Sequence, residues 1–224
     1  MRYKVAIRFA LEGDLRFISH RDTMRLLERA LSRSGLPVRF SEGFNPRPTL
    51  SLPLPRAVGV STSADVLVLE LTEAVEPREV LPRLAEQMPQ GLSLQDVWAL
   101  PAGETLHPEQ ASYEVALQDE ELEPVRGAVS DLLAAGEWPI ERTGRGKPSR
   151  TIDLRAMLVE ASVEPGWLRW TCRITPAGSA KPGEWLTAFG LQAGERLHRV
   201  RRTAVQWASP LRASAPAAIA SGLT

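Results

Sequence analysis

The stretch HRDTMRLLERALSRS, residues 20–34, permits little besides an amphipathic helix. Met24, Leu27, Leu31 and Ser34 recur at three- and four-residue spacing with Leu26 and Ala30 beside them, so the apolar side chains form one stripe. Ser19 stands where a helix needs a cap: its hydroxyl can accept the N–H of Asp22, whose carboxylate can reach back to the cap. Gly35 ends the pattern and Pro37 prevents a restart. A stripe this broad needs a sheet to cover it. The alternating run at residues 3–11 supplies the first strand.

From there the order can be followed along the chain. The apolar run 38–40, the segments 49–54 and 57–63, and the β-prone run 66–71 precede a second helix over residues 76–88, with Val80, Leu81, Leu84 and Met88 inward. Residues 92–100 read as a strand that closes this unit. After a polar Pro- and Gly-containing stretch the order begins again. Residues 112–117 are strand, and 120–135 are an acidic helix with Leu122, Val125, Val129, Leu132 and Leu133 inward. Residues 138–142 are strand, 157–163 and 167–174 a hairpin turning at Glu164-Pro165-Gly166, 184–191 a helix and 200–207 a last strand. The expected class is α+β: two tandem ferredoxin-like β-α-β-β-α-β sandwiches with antiparallel sheets. The expected boundaries are 1–100 for the first domain, 101–110 for a linker and 111–208 for the second domain. An Ala-, Ser- and Pro-rich tail at 209–224 is expected to be disordered.

Composition removes whole classes of function. With Cys172 as the single cysteine and His20, His107 and His198 far apart, the chain cannot build a disulfide framework or a cysteine-rich zinc or iron–sulfur site of its own. No run approaches the ~20 apolar residues of a membrane helix, and the N-terminus reads as a strand rather than a leader, so a cytoplasmic location is expected. The formal net charge of zero hides segregation: eleven Lys and Arg against five Asp and Glu in residues 1–60, three against sixteen in 61–138, and thirteen against six in 139–224. Two basic ends flank an acidic middle. Such a division suits one anionic and one basic partner, or pairing of the patches within the fold.

Four features offer anion contacts. Arg21, Arg25, Arg29 and Arg33 step by four along the helix, opposite the apolar stripe, and Glu28 lies among them. The loop Ser41-Glu42-Gly43-Phe44-Asn45-Pro46-Arg47-Pro48 is held by one glycine and two prolines, and sets a ring, an amide and a guanidinium side by side in Phe44, Asn45 and Arg47. A stacking surface beside a cation suits a nucleobase and its phosphate, whereas the same ring could instead tuck into the core. The basic, glycine-containing segment 142–150 supplies Arg145, Lys147 and Arg150, and the cluster leading into the last strand supplies Arg196, His198, Arg199, Arg201 and Arg202. Asp22 and Asp153 read as capping and turn residues.

The motifs FISHRD at residues 17–22, GLP at 35–37, SEGFNPRP at 41–48 and PLPRAVGV at 53–60, with IDLR at 152–155 after a basic loop, resemble those of the radical-SAM-associated family of uncharacterised bacterial domains. The last of the early motifs departs slightly, with an extra residue and a β-branched run. The resemblance spans most of residues 1–205. It implies a radical SAM protein as neighbour or fusion partner, and places the iron–sulfur cluster, S-adenosylmethionine and cobalamin in that partner. This chain lacks the C-x-x-x-C-x-x-C cluster ligands, so it cannot be the radical enzyme.

The leading expectation is a non-catalytic accessory module that binds RNA, or an RNA-derived substrate, for a radical SAM partner, with no cofactor or metal of its own. One alternative is a metal-independent endoribonuclease of tandem ferredoxin-like type. There His20 would be acid or base and Arg21 and Arg25 would stabilise the scissile phosphate. The other is a protein-interaction scaffold without nucleic-acid binding.

Overall fold

The alternating run Tyr3–Leu11 is β1, and it lies inside the sheet with neighbours on both edges. Both of its edges are therefore paired, and most of its side chains on both faces are buried. Val5, Ile7, Phe9 and Leu11 pack toward helices, and Ala6 packs the other way with Val66 and Leu100. The computed structural model describes residues 3–101, 103–144, 147–176 and 178–208, the side chains of 143–148 excepted. Arg145, the side chain of Lys147 and the tail at 209–224 lie outside these residues.

In the first half β1 is followed by α1 (His20–Arg33), β2 (Leu50–Ser51), β3 (Ser61–Leu71), α2 (Pro77–Ala85) and β4 (Leu92–Leu100). The second half holds β5 (His107–Ala116), α3 (Asp119–Ala134), β6 (Pro139–Gly144), β7 (Lys147–Asp153) and α4 (Leu154–Met157). It ends with β8 (Leu158–Glu164), β9 (Trp167–Arg173), α5 (Pro182–Ala188), α6 (Ala193–Arg196) and β10 (Arg201–Ala208). The class is α+β with a mostly antiparallel sheet. Among the described residues no helix is long and apolar enough to cross a membrane.

Where two separate sheets are expected, a single one runs through both halves in the order β4-β1-β3-β10-β5-β9-β8, with β2 also on β3. The reason lies in β2. Its ladder holds only Leu50↔Leu69 and Ser51↔Val68, because Pro53 and Pro55 downstream have no N–H to donate. The beginning of β3 is thus left open on that side, and β10 takes it in parallel through Arg201↔Ser61 and Arg202↔Thr62. Two further expectations are corrected. The supposed linker is already strand from His107, and the strand expected at 138–142 leaves the sheet as β6, paired with β7 in a separate ribbon. A short turn at Gly166 brings β8 beside β9, so the sheet edge is filled locally and 139–153 pairs with itself.

Two cores lie on the helix side of this sheet. Leu27, Ala30 and Leu31 of α1 and Val80 and Leu84 of α2 pack on Ile7, Leu67 and Leu69. Each fully buried leucine contributes roughly 1.5–3 kcal/mol of apolar burial. The buried stripe of α1 includes Thr23 rather than Met24, and Thr23 returns its hydroxyl to the Ser19 carbonyl at 3.1 Å. In the second core Val125, Val129 and Leu132 of α3 meet Trp170, Trp185 and Phe189, whereas Leu133, expected inward, is exposed. Gly91, in the turn before β4, has φ +90, and a Cβ there would stand 2.8 Å from the Glu12 carbonyl oxygen. That position admits glycine alone without a backbone shift.

The join between the halves is polar and buried. Arg202 is 2 % exposed and donates to Asp65 Oδ1 at 2.7 Å, to the Pro55 carbonyl at 3.0 Å and to the Tyr113 hydroxyl at 3.3 Å. Thr62 donates to the same Asp65 oxygen at 2.8 Å, and Arg56 donates to the carbonyls of Arg16 and Val60. Burial alone would lower the Arg202 pKa, but Asp65 and Tyr113 outweigh it and the guanidinium is held charged. Arg56, desolvated and near Arg202, is pushed the other way, with Asp65 opposing. Removing one partner of a buried pair leaves the other charge uncompensated. We expect Arg202→Met to destabilise the chain by about 3–5 kcal/mol in urea unfolding, and Asp65→Leu in the same chain to recover most of that loss.

Candidate nucleic-acid interface

The N-terminus of α1 is built as its sequence requires. Ser19 Oγ accepts the Asp22 N–H at 3.2 Å and donates to Asp22 Oδ2 at 2.6 Å, so the carboxylate bonds the cap's hydroxyl. That hydroxyl is the main cause holding the Asp22 carboxyl below its ordinary range; slight desolvation opposes it, and Arg25 and Arg21 assist. Arg25 pairs with Asp22 at 3.3 Å. Arg21 and Arg29 are exposed and make no ion pair among the described residues, while Arg33 turns aside to the Gln87 side chain at 3.1 Å. The outer face of α1 therefore presents Arg21 and Arg29 free and Arg25 in an exposed pair.

Beside it stands the loop after Arg39. Thr49 donates its N–H to the Arg39 carbonyl at 2.7 Å, Phe40 bridges Pro48, and Ser41 donates its N–H to the Arg47 carbonyl at 2.8 Å. Arg47 in turn donates its N–H to Ser41 Oγ at 3.1 Å. The neck is closed by hydrogen bonds and Gly43, at φ +128, lets the chain reverse at the tip. Phe44 is fully exposed there, so the ring expected either to stack or to tuck inward does not tuck inward. Asn45 is exposed beside it, and Arg47 reaches Glu28 of α1 at 3.8 Å. Helix and loop thus share one side of the molecule. Together they offer guanidinium groups for phosphate, a ring face for a base and an amide for its edge.

The other predicted residues are placed differently. Arg150 is exposed on β7, in the ribbon whose Ile140 and Ile152 pack on the second core. Its register partner Arg142 is occupied by Glu184, at 2.6 and 2.5 Å, and by the Ser179 carbonyl at 2.7 Å. Those bonds raise Arg142 and, against the burial of the carboxyl, lower Glu184. Arg201 is exposed, with Glu114 opposite it in the ladder. Arg202, expected on a cationic surface, is the buried residue of the join, and Arg196 pairs with Glu121. The physical reason is periodicity: neighbours on a strand face opposite ways, and the bulge after Arg202 keeps its side chain on the Tyr113 side.

His20 is the first residue of α1 and is partly buried. Asp153 caps α4, accepting the N–H of Arg155 at 2.9 Å and of Trp138 at 2.8 Å. Among the described residues no group of three or more His, Cys, Asp and Glu side chains could hold a metal. Sequence reasoning missed Asp65 and Tyr113, which bind Arg202 into the join, Arg56, which donates to the Arg16 and Val60 carbonyls beside them, and a second polar cluster of Arg8, Asp96 and Trp98 opposite the helices. The latter left a faint signal: Asp96 and Trp98 are two apart in a strand, hence on one face.

Residues 4–182 match the model of a family described as an uncharacterized protein conserved in bacteria (DUF2344). No curated protein matches the chain. Two outcomes follow from the geometry above. Phe44→Ala, at a position without packing, should leave stability within about 0.5 kcal/mol in urea titration, whereas Ser19→Ala should cost about 1 kcal/mol through the lost cap. Cys172 is buried, and burial chiefly pushes its thiol up to about 11. A disulfide reagent at neutral pH should therefore label it only after the chain is unfolded.

Proposed function

We propose that this chain, which belongs to the DUF2344 family of bacterial proteins, is a non-catalytic module that binds RNA or an RNA-derived substrate and presents it to a radical SAM enzyme. The observation that carries the reading is Phe44, held wholly in solvent on a loop closed by hydrogen bonds beside the arginine face of α1. Leaving such a ring exposed forgoes about 1.5–3 kcal/mol of burial, and a closed neck holding it outward suits stacking on a base. Arg21, Arg25, Arg29 and Arg47 lie within the same helix and loop and supply the phosphate contacts. The partner would bring the iron–sulfur cluster, S-adenosylmethionine and cobalamin.

The strand orders support a finer reading of the architecture as well. β4-β1-β3-β2 and β10-β5-β9-β8 each follow the order of a ferredoxin-like β-α-β-β-α-β unit, the second with the β6–β7 ribbon inserted after its first helix. On this reading the chain is a structural duplication fused through β3 and β10. The helices of both units then lie on one side of the joined sheet.

Purified chain titrated against single-stranded RNA on native gels should show a shift that weakens steeply with salt. Arg21→Gln with Arg29→Gln should flatten the log–log salt slope by about 0.7 per arginine, the value for single strands. Phe44→Ala should weaken binding by about 1–3 kcal/mol without changing that slope. Affinity indifferent to salt would sink the phosphate contacts. New fragments on a denaturing gel, abolished by His20→Ala, would replace a binding module with a ribonuclease. Co-purification of a radical SAM protein with no RNA shift would leave a scaffold.

A further inference from the structure

The side of the sheet opposite the helices carries a second candidate site. β3 and β10 pair for two residues and then part, and a cleft of about 200 Å³ opens between them. That is room for several ordered waters or one flat ring. Trp98 and Trp207 line it with Arg8, Asp96, Ser63 and Thr203. Arg8 donates to Asp96 Oδ2 at 3.2 Å, and Asp96 Oδ1 accepts the Val97 N–H at 2.9 Å, which leaves each carboxylate oxygen a lone pair for a further donor. Among the described residues the buried Trp98 Nε1 and Arg8 Nε have no hydrogen-bond partner, an unfavourable state at the wall of the cleft.

Charge separates the cleft and its surroundings at Arg8 and Arg169 from the outer surface of α1. Arg8 is paired with Asp96, and Arg169 is paired with both Glu114 and Glu164. Phosphate therefore finds no unpaired arginine among these residues. A recess of about 250 Å³ meets the cleft at Thr203 and is lined by hydroxyls, Ser112 and Thr171 being bonded at 2.9 Å and Thr171 donating to Glu160 at 3.0 Å. Indoles, a carboxylate and hydroxyls without free positive charge suit a flat, neutral, hydrogen-bonding ring bearing a sugar.

We propose that the cleft between β3 and β10 binds a nucleobase as its neutral nucleoside, the ring against Trp98 and Trp207, its N–H edge on Asp96 and its sugar toward Thr203. Guanine, with adjacent ring and exocyclic N–H donors, matches the carboxylate best. The choice of a nucleobase among planar rings rests on the RNA reading, but the cleft itself does not involve α1 or the Phe44 loop.

Guanosine, uridine and benzoate titrated into the full chain, followed by tryptophan fluorescence and calorimetry at low and high salt, test the assignment. Guanosine should bind saturably and independently of salt, ahead of uridine, with benzoate inert. Trp207→Ala and, separately, Asp96→Asn should each weaken it about tenfold, while Arg21→Gln with Arg29→Gln leaves it unchanged. Because the Asp96 side chain is half exposed, Asp96→Asn remains informative if Trp207→Ala folds poorly. Benzoate binding as well as guanosine, or guanosine failing to bind while RNA still shifts with its salt slope, overturns the cleft and leaves the RNA reading standing. Guanosine binding in a chain that shifts no RNA does the reverse.

Discussion

Arg202 carries a charge into the interior of the sheet, and the union of the two halves depends on how that charge is met. Asp65 comes from β3, Tyr113 from β5 and the Pro55 carbonyl from the segment before β3, so one guanidinium holds three separate parts of the chain at fixed distances. A buried pair of this kind contributes little more than apolar packing of the same volume would, yet loss of one member is severe. Only two residue pairs join β10 to β3. The backbone ladder there is too short to define the union alone, and the side-chain network supplies what it lacks.

With the join settled, the molecule offers two unlike surfaces. The outer side of α1 and the Phe44 loop hold arginines that are free or only loosely paired in solvent, where attraction to phosphate is long-ranged and weakened by salt. On the opposite face of the sheet the cleft and the recess beside it are lined by paired arginines, Arg8 and Arg169, with indoles and hydroxyls. Contacts there act over hydrogen-bond distances and respond to ring shape. The first surface suits capture of a polyanion and the second suits discrimination among rings.

Much of the fold was legible because its elements announce themselves locally. The helix at 20–34 and the strands at 3–11 and 92–100 agree with α1, β1 and β4 to within a residue, since stripe spacing, a cap and alternation are all encoded within a few turns of chain. Exposure of Phe44 was left open, because a rigid loop can point a ring either way and only the hydrogen-bonded neck decides. Arg202 and Arg201 look alike in sequence, and their opposite fates follow from the pleat and from a partner, Asp65, that lies 137 residues away. The single sheet was likewise hidden. Nothing local in β2 reveals how much of β3 it leaves unpaired.

The parallel join also orders events in time. Ser61 donates its N–H to the carbonyl of Val200, so this contact spans 139 residues, and during synthesis the open edge of β3 waits for nearly the whole chain to appear. Helices α1 and α2 and the strands between them can condense early from near neighbours, whereas closure of the sheet is a late, high-entropy step. An unpaired strand edge is a template for the wrong neighbour, and the proline-rich stretch before β3, with its missing N–H donors, guards the flank of that edge while it waits.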